Sequence, residues 1–306
     1  MRTKETKGVL GFGGQSDWRV AAGGLAGACL AMTEASAAPI TFNTALPVGA
    51  GHFVGRALGV FEDAEGPAGA LRTFRSVNVL GFGATPRLAL FAAAPFVSLK
   101  LDETGGAERE ASGFGDLRLF ARYTLFQSDA RGGAFRLSPF AGIEAPTGES
   151  REEDALGVLP APLQPGSGSL DFFAGAVATY ATLDWSVDGQ IAWQVNREND
   201  GFDAGDAFMA DLAFYRRLLP AALEADTKGF LLGGVEVNYA DARRSHAGGV
   251  VDPDSGGAHL FISPGLQYAR RTWMAEAAVQ IPAWRDANGA GMRPEISVRT
   301  GIRVNF

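Results

Sequence analysis

The sequence predicts an all-β fold: a transmembrane antiparallel up-and-down β-barrel of about 12 strands, with short periplasmic turns and long extracellular loops. Three observations predict it. From residue 52 onward apolar side chains recur at every second position, which is the strand period. The segments so marked are joined by connections that alternate between short and long. The face opposite the apolar one carries formal charges in the middle of nearly every strand, more than a dry core tolerates.

The first 37 residues stand apart from this pattern. Arg2, Lys4, Lys7 and Arg19 precede the apolar stretch Val20 to Met32, and Ala35-Ser36-Ala37 follows it. A basic region, a short apolar region and an A-x-A site together form a secretory signal. The basic region is long and holds Glu5 and Asp17, so the translation start can lie inside it. The only cysteine, Cys29, falls here; Leu25 to Cys29 departs from a lipoprotein site at Ala26, where leucine is usual. Cleavage after Ala37 would leave 269 residues without cysteine and move the net charge from −7 to −8. An exported chain without disulfides needs another source of stability, and a closed sheet in lipid supplies one. The acidic balance argues against nucleic acid as a partner. No apolar run reaches the roughly 20 residues of a membrane-spanning helix. Residues 38–51 are too few for a plug domain; they either stay periplasmic or thread the lumen as a short N-terminal segment.

Twelve segments carry the period-two pattern: 52–61, 72–83, 87–98, 114–126, 134–145, 169–181, 185–196, 206–217, 229–240, 258–269, 273–284 and 294–306. The cleanest places Leu117, Leu119, Ala121, Tyr123 and Leu125 opposite Asp116, Arg118, Phe120, Arg122 and Thr124. Short connections are Ala84-Thr85-Pro86, Ser128 to Gly133, Thr182-Leu183-Asp184 and Arg270-Arg271-Thr272; long ones include 99–113, 146–168 and 241–257. The connection 218–228 is long for its side. A soluble β-sandwich or calycin-like barrel shares the period, but two features, added to the charged inner wall, favour lipid. Trp185 and Trp193 share the apolar face and sit about 20 Å apart in height, as two interfacial girdles require. The chain also ends on that face with Ile302, Val304 and Phe306, a terminal strand suited to the outer-membrane assembly machinery.

The same phase sends Asp116, Arg118, Arg122, Arg136, Glu144, Asp188, Asp211, Arg217, Glu236, Glu276, Glu295, Arg299 and Arg303 inward. Six arginines against seven carboxylates do not make a one-sign selectivity filter. They either pair across the lumen and brace it, or line a hydrated passage; about 12 strands leave the width open between a filled and an aqueous barrel. In the loop 146–168, Leu156, Val158, Leu159 and Leu163 are apolar where water is expected. They either pack loop on loop, fold inward, or give apolar solutes a first contact at the mouth.

No catalytic or metal signature is present. His52, His246 and His259 are scattered, and no motif selects a serine such as Ser263 as a nucleophile. No Cys or His spacing offers a metal site. Asp252-Pro253-Asp254-Ser255-Gly256-Gly257 lacks the rest of a calcium loop and reads as a turn. Gly11-Phe12-Gly13-Gly14 and Gly81-Phe82-Gly83 lie in the signal region and a strand, so neither cradles phosphate. No cofactor, no metal and no enzymatic activity are expected.

Four stretches carry a resemblance: Thr41-Phe42-Asn43-Thr44-Ala45-Leu46-Pro47-Val48, Gly115 to Tyr123, Phe140-Ala141-Gly142-Ile143-Glu144-Ala145-Pro146-Thr147-Gly148, and Gly301-Ile302-Arg303-Val304-Asn305-Phe306. Over nearly the whole chain beyond the signal it resembles the outer-membrane family of meta-pathway (MetA-pathway) phenol-degradation transporters. The resemblance implies a Gram-negative outer-membrane channel for small hydrophobic or aromatic solutes and carries no binding residues with it. A lipid-acting hydrolase or a closed structural or adhesion barrel are the alternatives. The expected partners are outer-membrane lipid, the solute and the assembly machinery.

Overall fold

The computed structural model describes residues 37–224 and 227–306. The expected signal segment, with Cys29, lies outside the described residues except for Ala37. Twelve strands form one closed antiparallel sheet: strand 1 (Phe53–Gly66), strand 2 (Gly69–Gly83), strand 3 (Leu88–Glu103), strand 4, strand 5 (Gly133–Ala145), strand 6 (Asp171–Ala181), strand 7 (Trp185–Val195), strand 8 (Ala207–Leu219), strand 9 (Gly229–Ala242), strand 10 (Gly257–Arg270), strand 11 (Trp273–Ala287) and strand 12 (Arg293–Asn305). Each pairs with its neighbour in sequence, and strand 12 returns to strand 1 with Val54 opposite Asn305. Strand 4 runs in three pieces, Glu108–Phe114, Leu117–Tyr123 and Phe126–Ala130. Its first break faces Pro95 of strand 3, which has no N–H for the ladder; there the Gly115 N–H donates to the Pro95 carbonyl at 2.9 Å.

Closure leaves no sheet edge, the condition for strands to cross lipid. Along strand 7, Trp185, Ile191, Trp193 and Val195 are exposed on the outer wall, while Ser186, Asp188, Gln190 and Gln194 are buried inside. Aromatic rings band both ends of that wall. Toward the chain termini, Trp185 lies 5.3 Å from Tyr180, and Phe306 stacks 5.8 Å from Phe53. At the other end, Trp193 lies 4.9 Å from Phe208. The apolar belt with two aromatic girdles makes this a transmembrane barrel of the outer-membrane type.

The strands are longer than the alternation alone implied. Strands 1 and 2 extend to Gly66 and Gly69, leaving a two-residue turn, and 99–113 is not a long loop. Strand 3 continues to Glu103 and strand 4 begins at Glu108, with Ser98, Lys100 and Asp102 facing out and Leu99 and Leu101 facing in. Above the bilayer the outer face meets water, so apolar residues give way to the ion pairs Lys100–Glu108 and Arg72–Asp102. The period persists while the polarity reverses. The resulting flap shelters a cluster of Leu71, Val97, Leu99, Leu101 and Ala111 on its inner side.

Candidate functional site

The lumen is occupied by the chain's own residues 38–48. Ile40, Phe42, Ala45 and Leu46 are fully or almost fully buried although this stretch belongs to no strand. Its side chains meet the inner wall of strands 1–3, where Val54, Leu58, Val60, Val77 and Val79 make that side apolar. Room for them is built into the backbone: a Cβ on Gly265 would stand 2.9 Å from the Ile40 Cδ1.

The segment's backbone groups have neither water nor a sheet partner, and wall side chains serve them instead. Glu236 accepts from the Ile40 N–H at 2.6 Å and the Thr41 N–H at 3.0 Å, and also from the hydroxyls of Thr41 and Tyr215. Arg56 donates to the Ile40 carbonyl at 2.7 Å and Gln267 to the Ala38 carbonyl at 2.5 Å. Arg122 donates to the carbonyls of Thr44 and Leu46. Thr179 accepts from the Ala45 N–H at 2.8 Å and donates to Asp188, to which Thr44 also donates.

The thirteen inward residues named from sequence divide by task. Arg122, Asp188 and Glu236 touch the segment directly. Glu276 binds Arg56 at 2.6 Å and Arg303 at 3.2 Å, and so orients a residue that does. Asp211 accepts from Asn238 at 3.0 Å, which in turn donates to the Thr41 hydroxyl. Arg118 pairs with Glu144, and Arg299 donates to Gln280 at 2.9 Å. Asp116 accepts from the N–H groups of Gly148 and Ser167, and thus anchors the long outer loop. Three sit at the rims: Arg136 and Arg217 hold Asp129 and Asp184 at one end, and Glu295 holds Arg285 at the other. Arg56 and the Arg75–Glu62 pair belong to the same inner wall and were missed. Strand 1 mixes Arg56 and Glu62 with Val54, Leu58 and Val60, so its inward face does not read as a polar one.

Above the segment lies a cavity of about 200 Å³ under the outer loop. Val77, Ala93, Pro95, Val97 and Leu99, with Pro162 and Pro165 of the loop, form its apolar side; Asp116, Arg118, Glu144 and Gln194 form the polar one. Between cavity and segment four phenylalanines crowd the lumen, with Phe120 at 4.7 Å from Phe91, 6.4 Å from Phe140 and 5.9 Å from Phe173. Gly142 makes the space, since a Cβ there would come 2.7 Å from the Phe173 ring. Arg118 and Arg122 lie over the Phe173 and Phe91 faces at 5.4 and 5.0 Å. Sequence singled out only Phe120, because the adjacent pair Phe172-Phe173 fits either phase.

The loop's apolar residues part company. Leu156 and Val158 are both 63% exposed on a small ribbon, whereas Leu159 and Leu163 are 3% and 0% exposed under the flap. These last two therefore offer no surface to the outer mouth. Arg109 of strand 4 clamps the ribbon with paired bonds of 2.7 and 2.9 Å to Asp154. As candidate hydrolytic partners, Ser263 and His259 both face inward from strand 10, four residues and so about 13 Å apart. Ser263 donates to Asn238 at 3.1 Å. Among the described residues no cluster of three metal-ligating side chains occurs.

A family model described as "Putative MetA-pathway of phenol degradation" matches residues 68–282. The chain belongs to that family. No curated protein matches it by sequence. Among solved structures, the family member is similar to the COG4313 outer membrane channel from Pseudomonas putida F1, at 15% identity and a TM-score of 0.66, over 92% of this chain and 100% of that one. At such identity the likeness concerns the fold. Weaker likenesses are to the beta domain of the Bordetella autotransporter BrkA (13% identity, TM-score 0.44, 84% and 100% covered) and to the CymD monoaromatic hydrocarbon channel (11%, 0.40, 84% and 89%).

Replacing Glu236 by Leu strands two buried N–H groups, at about 1–3 kcal/mol each. Amide hydrogen exchange at Ile40 and Thr41 should then accelerate by at least tenfold while the strands stay protected. The Arg109 contact holds the Asp154 carboxyl below its usual 3.8. A depressed folded value means that the clamp is present above pH 3.8 and is lost as pH falls through the lower value. A spin label at Leu156→Cys should thus stay restrained at pH 4 and become mobile only in stronger acid. In Arg109→Ala it should be mobile already at pH 7.

Proposed function

We propose that the protein is an outer-membrane channel through which small hydrophobic solutes, aromatic ones included, pass down their gradient. The observation that carries this reading is the apolar-walled cavity, whose Arg118 lies over Phe173 of the lumenal phenylalanine cluster. A dry cavity of roughly 150 Å³ accepts a benzene-sized ring, so the vestibule holds one monoaromatic solute. The ring would lie against Val97 and Pro95, with a polar substituent turned to Arg118, Glu144 and Gln194. From there Phe173 and Phe120 offer a continuous aromatic surface toward the lumenal segment. Leu156 and Val158 stand outermost as a first apolar contact, while Leu159 and Leu163 support the vestibule from under the flap.

The obstruction is detachable in principle. Residues 38–48 bind the wall through side chains and are not part of the sheet ladder, so moving them leaves the barrel closed and intact. Arg122 is the latch nearest the aromatic cluster. The balanced inner charges give no ion selectivity of one sign, in keeping with a neutral solute. The family's phenol-degradation description and the channel named in the matched structure support the same reading.

Fluorine NMR of para-fluorophenol titrated into the detergent-refolded barrel tests it. Saturable broadening is expected, weakened roughly tenfold or more by Val97→Trp, which fills the vestibule. Expression of the wild type should also raise initial para-fluorophenol uptake by Gram-negative cells. Absence of both saturable binding and added uptake contradicts the proposal.

A further inference from the structure

We propose that the mature chain begins at Ala38 and that its new α-amino group is a lumenal anchor, held by the Gln267 Oε1 and the Glu276 carboxylate. The inference stands whether or not the barrel carries solute.

Two unpaired groups sit on one hydrogen-bonded pair of residues, Ala38 and Gln267. Ala38 is completely buried, and its N–H donates to nothing among the described residues. Gln267 is completely buried too; its Nε2 donates to the Ala38 carbonyl at 2.5 Å and stands 3.4 Å from the Glu276 Oε2. The other end of that amide, Oε1, is a buried acceptor with no partner. A buried donor and a buried acceptor, each left unsatisfied on the same pair of residues, each incur a desolvation penalty without return. The peptide N–H cannot resolve this, because its single hydrogen is fixed in the plane of the Ala37–Ala38 bond. An α-amino group has several hydrogens on a freely rotating bond, so it is free of that plane and can turn toward Gln267 and the Glu276 carboxylate beside it.

The sequence supplies the reaction independently. Ala35-Ser36-Ala37 ends in the small residues a membrane-bound signal peptidase reads. Hydrolysis of the Ala37–Ala38 bond takes one water: the hydroxyl goes to the Ala37 carboxyl and a proton to the Ala38 nitrogen. Pro39 has no N–H, so Ala38 is the first donor before the Ile40 N–H held by Glu236. Leader removal is then the step that seats the lumenal segment. Before it, the chain must continue past a position with no exposed surface.

The full chain exported to the outer membrane, then purified folded, provides the test. Its intact mass should correspond to a start at Ala38. An amine-acylating ester at neutral pH should label the α-amino group at least tenfold more slowly in the folded barrel than in urea. Exposed Lys228 serves as the reference; Lys100, the other lysine after residue 37, is half-buried and paired with Glu108. Gln267→Leu should narrow that difference while the barrel keeps its folded, heat-modifiable band on gels. A start at any other residue, or equal labelling of the folded and unfolded wild type, overturns the proposal. The wild-type readings decide it even if the variant does not fold.

Discussion

An extended backbone inside a closed barrel must find all its hydrogen bonds in side chains, and this one constraint organises the interior. Residues 38–48 lie where neither water nor a sheet neighbour can serve them. The carbonyls of Ala38, Ile40, Thr44 and Leu46 are met by Gln267, Arg56 and Arg122, and two successive N–H groups by Glu236. Buried guanidinium groups are costly unless held in turn, which is why Glu276 sits between Arg56 and Arg303. Part of the mixed inner charge is thus a socket for a strap: Arg122, Asp188 and Glu236 touch it, and Glu276 and Asp211 hold residues that do.

The same constraint divides the wall. Strands 1–3 turn valines and leucines inward against Ile40 and Phe42, while Arg122, Thr179, Glu236 and Gln267 of strands 4, 6, 9 and 10, with Arg56 of strand 1, serve the strap's backbone. Twelve strands leave little width, so bulky rings fit only where the opposite wall is bare. Gly142 beneath Phe120 and Phe173, and Gly265 beneath Ile40 and Tyr215, provide those gaps. The outer loop, tied down by Asp116 and Arg109, roofs what space remains and makes it a pocket.

Much of the barrel could be read from alternation because lipid outside and polar groups inside give a strong contrast, as in Asp116 to Leu125 and along strand 12. The contrast fails where its cause fails. Strand 1 sets Gly55, Ala57 and Gly59 toward lipid and Val54, Leu58 and Val60 toward the strap, so polarity no longer marks the face. The flap lies above the bilayer, where the outer side becomes charged, and this hid the ends of strands 1 to 4. The link between Glu236 and Ile40 spans 196 positions, and no local pattern encodes such a contact. Residues 38–51 did signal a segment short enough to thread the lumen, but not which wall residues would receive it.

Planar-bilayer conductance, compared between residues 38–306 and the same barrel lacking 38–48, shows whether the strap closes the lumen. If the strap alone obstructs the lumen, the longer chain gives small or intermittent steps and the shortened one large, steady steps without marked ion selectivity. Silence from both, in barrels that keep a folded, heat-modifiable form, would contradict it.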